Sequence, residues 1–202
     1  MKGPWCIVIP LRLSDAKTRL STQPAPRRRA LVVAMARDVI SAAAHCPLVG
    51  ETVLVADQEG LDAVAAAGAR AVLDPGLGLN AAIRAGAADA PGPVAALLAD
   101  VPCATPDLLA LALSACTGEP AIISDAEGIG TTLLAARDAR SLDPCFGTRS
   151  RAAHIAAGAR EILDPIPGTL AGLRRDVDSE VDLWDARRMG LGAFTRAALD
   201  GA

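Results

Sequence analysis

Three aspartates occupy positions where carboxylates could converge at the edge of a sheet. Asp100 directly follows the apolar segment Val94–Ala99, which we expect to be a buried strand, and a carboxylate there is poorly suited to core packing. Asp176 and Asp178 lie on one face of an extended segment, just before a helix predicted to begin near Ser179. Mg²⁺ prefers carboxylate oxygens and completes its coordination with substrate phosphates. The three residues are therefore candidate Mg²⁺ ligands, with a turn or N-cap aspartate as the alternative for Asp100.

A basic loop follows the first predicted strand, Cys6–Pro10. Lys17 and Arg19 lie in this loop, and their side chains are suited to binding phosphate oxygens. The loop matches neither the G-x-G-x-x-G dinucleotide fingerprint nor the G-x-x-x-x-G-K-S/T P-loop, so both of those nucleotide-binding classes lose their main support. A solvated basic loop remains the alternative interpretation.

A glycine-rich loop at 74–80 follows the third predicted strand. Gly78 lets the backbone approach a ligand closely, and the next helix would present its N-terminal amides to that ligand. Asn80 is the only asparagine in the chain, and its carboxamide could read the polar edges of a base or a ribose. Taken alone, an ordinary glycine-rich turn with an asparagine near a helix cap is the favoured interpretation.

A second set of glycines and hydroxyl groups lies at 127–132 and 146–150. Together with Arg149, these groups could form a second anion pocket. Ser150 has a competing and stronger interpretation, because a serine at this position could simply cap a helix over 151–157.

The cysteines and histidines show no comparable pattern. The five cysteines include no C-x-x-C pair, and His45 and His154 lie far apart in sequence, so a zinc site is not expected. Cys103 lies near Asp100 but has no base nearby, and we interpret it as a packing residue. Each histidine is expected to be a core or surface residue without a partner.

The elements that must position these groups alternate along the chain as short apolar runs and alanine-rich helical stretches. Strands are predicted at Cys6–Pro10, Val53–Ala56, Val72–Leu73, Val94–Ala99, Ile122–Ser124 and Thr131–Ala136. Helices are predicted from Pro26 to about Cys46, at Leu61–Ala67 and Leu79–Ala90, and from a cap at Thr105. Since little chain connects the last two strands, they are expected to be antiparallel. The alternation predicts an α/β fold, with a mixed, mostly parallel sheet covered by helices on both faces.

Composition places the chain in a broad class. Its 202 residues suit a single domain over 1–202, and the formal net charge of −3 argues against a nucleic-acid partner. No window approaches the ~20 apolar residues of a membrane span. Pro10 and the charges from Arg12 onward are unlike a signal-peptide core, and scattered thiols favour a reducing compartment. We therefore expect a cytoplasmic protein without a membrane partner.

Taken in order, these segments resemble the family of 2-phospho-L-lactate, phosphoenolpyruvate or 3-phosphoglycerate guanylyltransferases of coenzyme F-420 biosynthesis. That family joins GMP to a small phosphorylated carboxylic acid. The resemblance covers nearly the whole chain and is carried by VIPL…AKTRL at 8–20, DPGLGLNAAI at 74–83, ALLADVP at 96–102, GIGTTLL at 128–134, FGTRS at 146–150 and DVDSEVDL at 176–183.

The resemblance implies a Rossmann-like fold of the nucleotide-diphospho-sugar transferase type, with Mg²⁺ as cofactor, and with GTP and a phosphorylated three-carbon acid as substrates. It implies that Lys17 and Arg19 bind the triphosphate, and that Gly78 and Asn80 bind the nucleotide. It also implies that Asp100 binds the Mg²⁺ together with Asp176 or Asp178. The residues implied to bind the phospho-acid are Thr132, Gly147 and Ser150. Lys17 and Asp100 are the expected catalytic residues. The chain departs from the family pattern at two positions. Val101 replaces the usual leucine, which is a trivial change. Ile129 replaces a residue that is commonly threonine in the family, and this change affects the detail of the acid pocket.

Other functions remain open from sequence. A molybdopterin or sugar-phosphate nucleotidyltransferase would use the same basic loop and acidic edge, although its first loop would usually contain more glycine. A non-catalytic nucleotide-binding domain would bind GTP without turnover, and the acidic residues argue against it because anionic ligands avoid carboxylates without a metal. The sequence does not choose among the three phospho-acids or fix the oligomeric state, for which a homodimer is one option.

Overall fold

A computed structural model describes residues 4–13, 24–64 and 68–201. These residues form seven β-strands: β1 (Trp5–Leu11), β2 (Val49–Ala56), β3 (Arg70–Leu73), β4 (Val94–Leu97), β5 (Ala121–Ser124), β6 (Thr131–Ala136) and β7 (Arg160–Glu161). They also form eight α-helices: α1 (Ala25–His45), α2 (Gln58–Val64), α3 (Leu79–Ala87), α4 (Pro106–Ala115), α5 (Ser150–Ala156), α6 (Ala171–Arg174), α7 (Glu180–Met189) and α8 (Ala193–Asp200).

The seven strands form one mixed sheet in the order β3-β2-β1-β4-β6-β5-β7. Parallel pairs join β1 to β2 and to β4, β2 to β3, and β5 to β7. Strand β6 runs antiparallel to both of its neighbours, β4 and β5. The predicted mostly parallel sheet is therefore confirmed, including the antiparallel pairing of β5 with β6.

Helices cover both faces of the sheet, because the side chains of the central strand alternate between two apolar cores. On one face, Ile7 and Ile9 pack in a core that includes Met35 of α1. On the other face, Val8 packs in a core that includes Ile83 of α3. Helix α3 lies so close to the sheet that a Cβ added at Gly86 would stand 2.5 Å from Val8.

Several element boundaries differ from the predicted ones. Helix α1 begins at Ala25 with Pro24 as its N-cap, so Pro26 sits inside the first turn rather than opening the helix. Helix α3 ends at Ala87, three residues earlier than expected, and β4 ends at Leu97 rather than Ala99. Helix α2 begins at Gln58, three residues earlier than predicted, and is described as far as Val64; residues 65–67, where the predicted helix ends, lie outside the described residues.

A contact from a distant helix fixes the start of α8. The carboxylate of Asp38, in α1, accepts hydrogen bonds from the backbone N–H groups of Phe194 (2.9 Å) and Thr195 (2.8 Å). A Cβ at Gly192 would collide with this carboxylate, so the residue before α8 must be glycine. Asp38 therefore caps a helix more than 150 positions later in the chain.

Within the described ranges, no helix is both long enough and apolar enough to cross a membrane.

Candidate functional site

The loops that carry the predicted site residues meet at one edge of the sheet. Strands β3, β4 and β5 are parallel to one another through the sheet and end at Leu73, Leu97 and Ser124. Because β6 runs in the opposite direction, its first residue, Thr131, lies at the same edge. In open α/β sheets, ligands bind outside this carboxyl edge.

The three predicted metal ligands are brought together at this edge. Asp100, Asp176 and Asp178 each offer a carboxylate oxygen, and these oxygens lie within 4.8 Å of one another. The backbone N–H of Val177 donates to the carbonyl of Asp100 at 3.0 Å, which holds the two segments side by side. All three aspartates are partly buried. We call these three residues the acidic cluster.

The start of helix α7 fixes the segment that carries Asp176 and Asp178 of the acidic cluster. As predicted, this helix begins next to Ser179, which is its N-cap in a capping box with Asp182. The Asp182 carboxylate accepts hydrogen bonds from the N–H groups of Ser179 (2.8 Å) and Asp178 (3.2 Å). Although burial acts in the opposite direction, the hydrogen bond from the Ser179 hydroxyl, these two N–H groups and the charge of Arg175 lower the pKa of Asp182. The capping box therefore fixes the backbone at a predicted ligand.

Arg175, which was not predicted from the sequence as a site residue, joins the segment at 176–178 and helix α7 to a neighbouring loop. Its guanidinium is mostly buried and contacts Glu127 at 2.9 Å, Asp182 at 3.0 Å and Asp185 at 3.6 Å. Glu127 belongs to the loop after β5, whereas the two aspartates belong to α7. The available signal was the arginine directly before Asp176, but sequence alone does not show which carboxylates it reaches.

The loop at 125–130 is closed by its own first residue. The Asp125 carboxylate accepts hydrogen bonds from the N–H groups of Ile129 (2.8 Å) and Gly130 (2.6 Å). A Cβ at Gly130 would collide with that carboxylate, and Gly128 has a φ of +71° that favours glycine. The loop thus presents Ile129 outward, with 57% of the residue exposed.

The loop at 145–149, which carries the FGTRS motif except for its final residue, Ser150, is held by two side chains from elsewhere. Asn80 Nδ2 donates to the carbonyl of Phe146 at 3.0 Å, and the N–H of Phe146 donates to Asn80 Oδ1 at 2.8 Å. His154 Nε2 accepts a hydrogen bond from the N–H of Cys145 at 2.9 Å. The motif is therefore fixed against both α3 and α5. We call residues 145–149 the FGTRS loop.

The structure also places the predicted phospho-acid residues. Gly147 is exposed and has a φ of +138°. Thr132 is fully buried in β6, where its hydroxyl donates to the carbonyl of Ile123 at 3.4 Å. Ser150 is the buried first residue of α5, so the expectation that it caps a helix over 151–157 is wrong: the N-cap is Arg149, which has a left-handed backbone. The acid-binding roles of these residues stay predictions.

The predicted nucleotide residues are only partly described. Lys17 and Arg19 lie outside the described residues. Gly78 is the N-cap of α3 with a φ of +95°, which explains the need for glycine there. Asn80 lies in the first turn of the same helix, and its carboxamide is engaged by the FGTRS loop. The nucleotide-binding roles of these four residues stay predictions.

The expectation that the histidines lack partners is wrong. His45 Nδ1 lies 2.8 Å from the carbonyl of Ser41, one helical turn earlier. His154 contacts Cys145 and also Thr131, whose hydroxyl lies 3.0 Å from Nδ1. The interpretation of Cys103 as a packing residue is confirmed, because it is buried and its thiol donates to the carbonyl of Ala186. Burial raises the pKa of Cys103 to about 11.

Comparison with known proteins agrees with this fold and also identifies the family of the chain. The model of the family "Guanylyl transferase CofC like" matches residues 5–171. A phosphoenolpyruvate guanylyltransferase from Salinispora arenicola is 44% identical over 96% of this chain and 93% of its own length. The enzyme of that name from Streptomyces coelicolor is 43% identical over 96% of this chain and 94% of its own. A candidate nucleotide-diphospho-sugar transferase from Desulfovibrio desulfuricans G20 shares the fold, with a TM-score of 0.73 at 17% identity over 98% of this chain and 95% of that chain.

The fold and these relatives define the class of the protein: it is a nucleotidyltransferase. More particularly, the chain belongs to the guanylyl transferase CofC-like family, and the resemblance inferred from its motifs is confirmed.

Proposed function

We propose that this protein transfers GMP from GTP to phosphoenolpyruvate and releases pyrophosphate, as a step of coenzyme F-420 biosynthesis. The acidic cluster is the observation that carries the proposal, because it gathers three carboxylates at the ligand edge of the sheet. The names of the relatives favour phosphoenolpyruvate among the three candidate acids.

The acidic cluster suits Mg²⁺ by its donor set. Asp100, Asp176 and Asp178 offer only carboxylate oxygens, which are hard ligands that this ion prefers over nitrogen and sulfur. When bound there, Mg²⁺ would supply a Lewis acid that neutralises phosphate charge. The Val177 hydrogen bond and the Asp182 capping box fix the backbone segments that carry the three carboxylates.

The proposed reaction is a single in-line displacement. An oxygen of the acid's phosphate forms a bond to the α-phosphorus of GTP, while the bond between that phosphorus and the β-phosphate oxygen breaks. The electron pair of the broken bond leaves with pyrophosphate. Since a phosphate monoester is already largely anionic near neutral pH, the nucleophile needs no general base. This agrees with His154, whose two ring nitrogens are occupied by Thr131 and Cys145.

The chain's other residues would bind and orient the two substrates. Lys17 and Arg19 would place positive charge on the triphosphate, where negative charge accumulates as pyrophosphate departs. The chain is 2% aromatic, so base stacking by the protein should be minor and polar groups should hold the nucleotide. The FGTRS loop would present Gly147 and neighbouring groups to the acid.

A substrate panel tests the proposal. The protein is incubated with Mg²⁺, GTP and one of phosphoenolpyruvate, 2-phospho-L-lactate or 3-phospho-D-glycerate, and pyrophosphate release is measured. We expect the highest kcat/KM with phosphoenolpyruvate, and a much lower rate when ATP, CTP or UTP replaces GTP. A higher kcat/KM with another of the three acids would change the assigned substrate. If none of the three acids gave pyrophosphate release, the proposed guanylyl transfer would be overturned.

A further inference from the structure

His154 makes contacts at both of its ring nitrogens although it lies almost completely buried. The residue is 1% exposed. Its Nδ1 lies 3.0 Å from the hydroxyl of Thr131, at the start of β6, and its Nε2 lies 2.9 Å from the backbone nitrogen of Cys145. The ring also packs edge-on against Phe146, with ring centroids 4.9 Å apart and an interplanar angle of 76°. One imidazole thus connects the sheet edge to the first two residues of the FGTRS loop.

These contacts specify one tautomer of the imidazole. A backbone N–H can only donate, so the hydrogen bond from Cys145 requires an unprotonated Nε2. In a neutral ring the proton must then lie on Nδ1, from which it is donated to the Thr131 hydroxyl. A protonated ring would turn Nε2 into a donor facing another donor. Protonation therefore breaks the hydrogen bond to Cys145.

The surroundings of the ring favour this neutral form. Burial lowers the pKa of His154 from its usual value of 6.5, while the carbonyl of Ser150 and the charge of Asp143 act in the opposite sense. Asp143 is itself paired with Arg84 at 3.0 Å. The groups of Thr131, Cys145 and Phe146 that contact the ring are uncharged.

The same contacts lie beside the residues that we expect to hold the phospho-acid. Thr131 directly precedes Thr132 in β6, and Cys145 lies two positions before Gly147. A displacement of Cys145 would change the position of the FGTRS loop relative to the sheet edge. Small displacements of substrate-positioning groups are costly in enzymes, because binding and catalysis depend on their placement.

We propose that His154 is a positioning residue that holds the FGTRS loop in its acid-binding position only while its imidazole is neutral. This inference rests on the proposed function for the identity of the loop's ligand, a phosphorylated carboxylic acid. Acidification should release the loop and weaken binding of the acid. The KM for GTP should change much less.

Kinetics of matched variants test the inference. In His154→Gln the amide can accept from Cys145 and donate to Thr131 but does not titrate, whereas in His154→Leu both hydrogen bonds are lost. His45→Gln makes the same change at the exposed histidine and is the control. The KM for the acid and the KM for GTP are measured for each protein from pH ~8 to ~5.5.

We expect His154→Leu to raise the KM for the acid by roughly three- to tenfold at neutral pH, the usual effect of losing one hydrogen bond, because of its two lost hydrogen bonds only the one to Cys145 lies in the FGTRS loop; His154→Gln should restore most of that loss. As pH falls, the KM of the wild type should rise more steeply than that of His154→Gln. The phosphate of the acid titrates in the same range, but it does so equally for both proteins. Identical pH profiles for wild type, His154→Gln and His45→Gln would overturn the inference.

Two spectroscopic readouts are independent of activity. In ¹H–¹⁵N spectra of the histidine rings, with His45→Gln used for assignment, His154 should carry its proton on Nδ1 and titrate below pH 6.5. The Cys145 amide should be protected from hydrogen exchange in the wild type and His154→Gln, and lose protection in His154→Leu. A proton on Nε2, or an equally protected Cys145 amide in His154→Leu, would overturn the inference even if the substrate panel succeeds. If the panel fails, these readouts still decide whether His154 holds the loop.

Discussion

The carboxamide of Asn80 satisfies both backbone groups of Phe146, accepting from its N–H at 2.8 Å and donating to its carbonyl at 3.0 Å. Asn80 belongs to the first turn of α3, which follows the glycine-rich segment at 74–78, and Phe146 belongs to the FGTRS loop. This pair links the loop expected to bind the nucleotide to the loop expected to bind the acid. The only asparagine of the chain thus has a structural partner that its sequence neighbours do not reveal.

Replacing Asn80 should weaken both loops together. Asn80→Ala leaves the N–H and the carbonyl of the buried Phe146 without this partner, so we expect the free energy of unfolding to fall by about 1–3 kcal/mol and the KM values for both substrates to rise. Asn80→Asp keeps an acceptor for the N–H of Phe146, so its unfolding free energy should fall by less. Urea denaturation and steady-state kinetics measure the two effects. An Asn80→Ala protein with unchanged stability and kinetics would show that the pair does not connect the loops.

Arg175 should support the acidic cluster through its contacts with three carboxylates. In Arg175→Ala, Glu127 is released and Asp182 loses a partner, so we expect a loss of about 1–2 kcal/mol in unfolding free energy and a higher KM for the acid. Arg187→Ala removes an exposed arginine from α7, the helix that carries Asp182, and is the control. Equal behaviour of the two variants in denaturation and kinetics would exclude this supporting role.

Asp38 should contribute to stability without contributing to catalysis. Asp38→Ala removes the acceptor for two N–H groups at the start of α8, and a lost cap of this kind costs about 1–2 kcal/mol. The midpoint of thermal unfolding should therefore fall while kcat/KM, measured well below that midpoint, stays at the wild-type value. A large loss of kcat/KM in the folded variant would contradict this separation of roles.

The pair between Glu161 and Arg151 should make stability depend on pH in the acidic range. Hydrogen bonds from Arg151, at 2.6 and 3.0 Å, lower the pKa of Glu161 from its usual 4.5. A lowered carboxyl pKa contributes stability that is fully present above pH 4.5 and is lost as pH falls through the folded-state pKa. Denaturation of wild type and Glu161→Gln should therefore differ by a constant amount near neutral pH and converge on acidification. A difference that grows on acidification would refute this assignment.

The sequence predicted those parts of the structure that depend on local patterns. Apolar runs such as Val94–Ala99 identified the buried strands, and Ser179 identified the start of α7. The three aspartates could be grouped because each follows or precedes a regular element at one edge of the sheet. Short elements such as β7, with two residues, and α6, with four, carry too little periodicity to be recognised.

The parts that could not be predicted depend on contacts between distant segments. Asp38 caps a helix that begins at residue 193, and the partners of His154 lie 9 and 23 positions away. Arg175 reaches Glu127 across 48 positions. Side-chain chemistry limits what such residues can bind, but only the folded chain shows which partner is near.

The central claim is that the acidic cluster supports guanylyl transfer, and Asp100→Asn tests it most directly. This change keeps the size of the side chain and removes one carboxylate charge from the cluster. The measurement is the initial rate of pyrophosphate release with Mg²⁺, GTP and phosphoenolpyruvate. Asp89→Asn, which alters an exposed aspartate after α3, is the control, and circular dichroism verifies that both variants are folded. We predict that Asp100→Asn lowers the rate by about 10²–10³, as expected for the loss of a key electrostatic contact, while Asp89→Asn leaves it unchanged. A folded Asp100→Asn protein with a near-wild-type rate would contradict the claim.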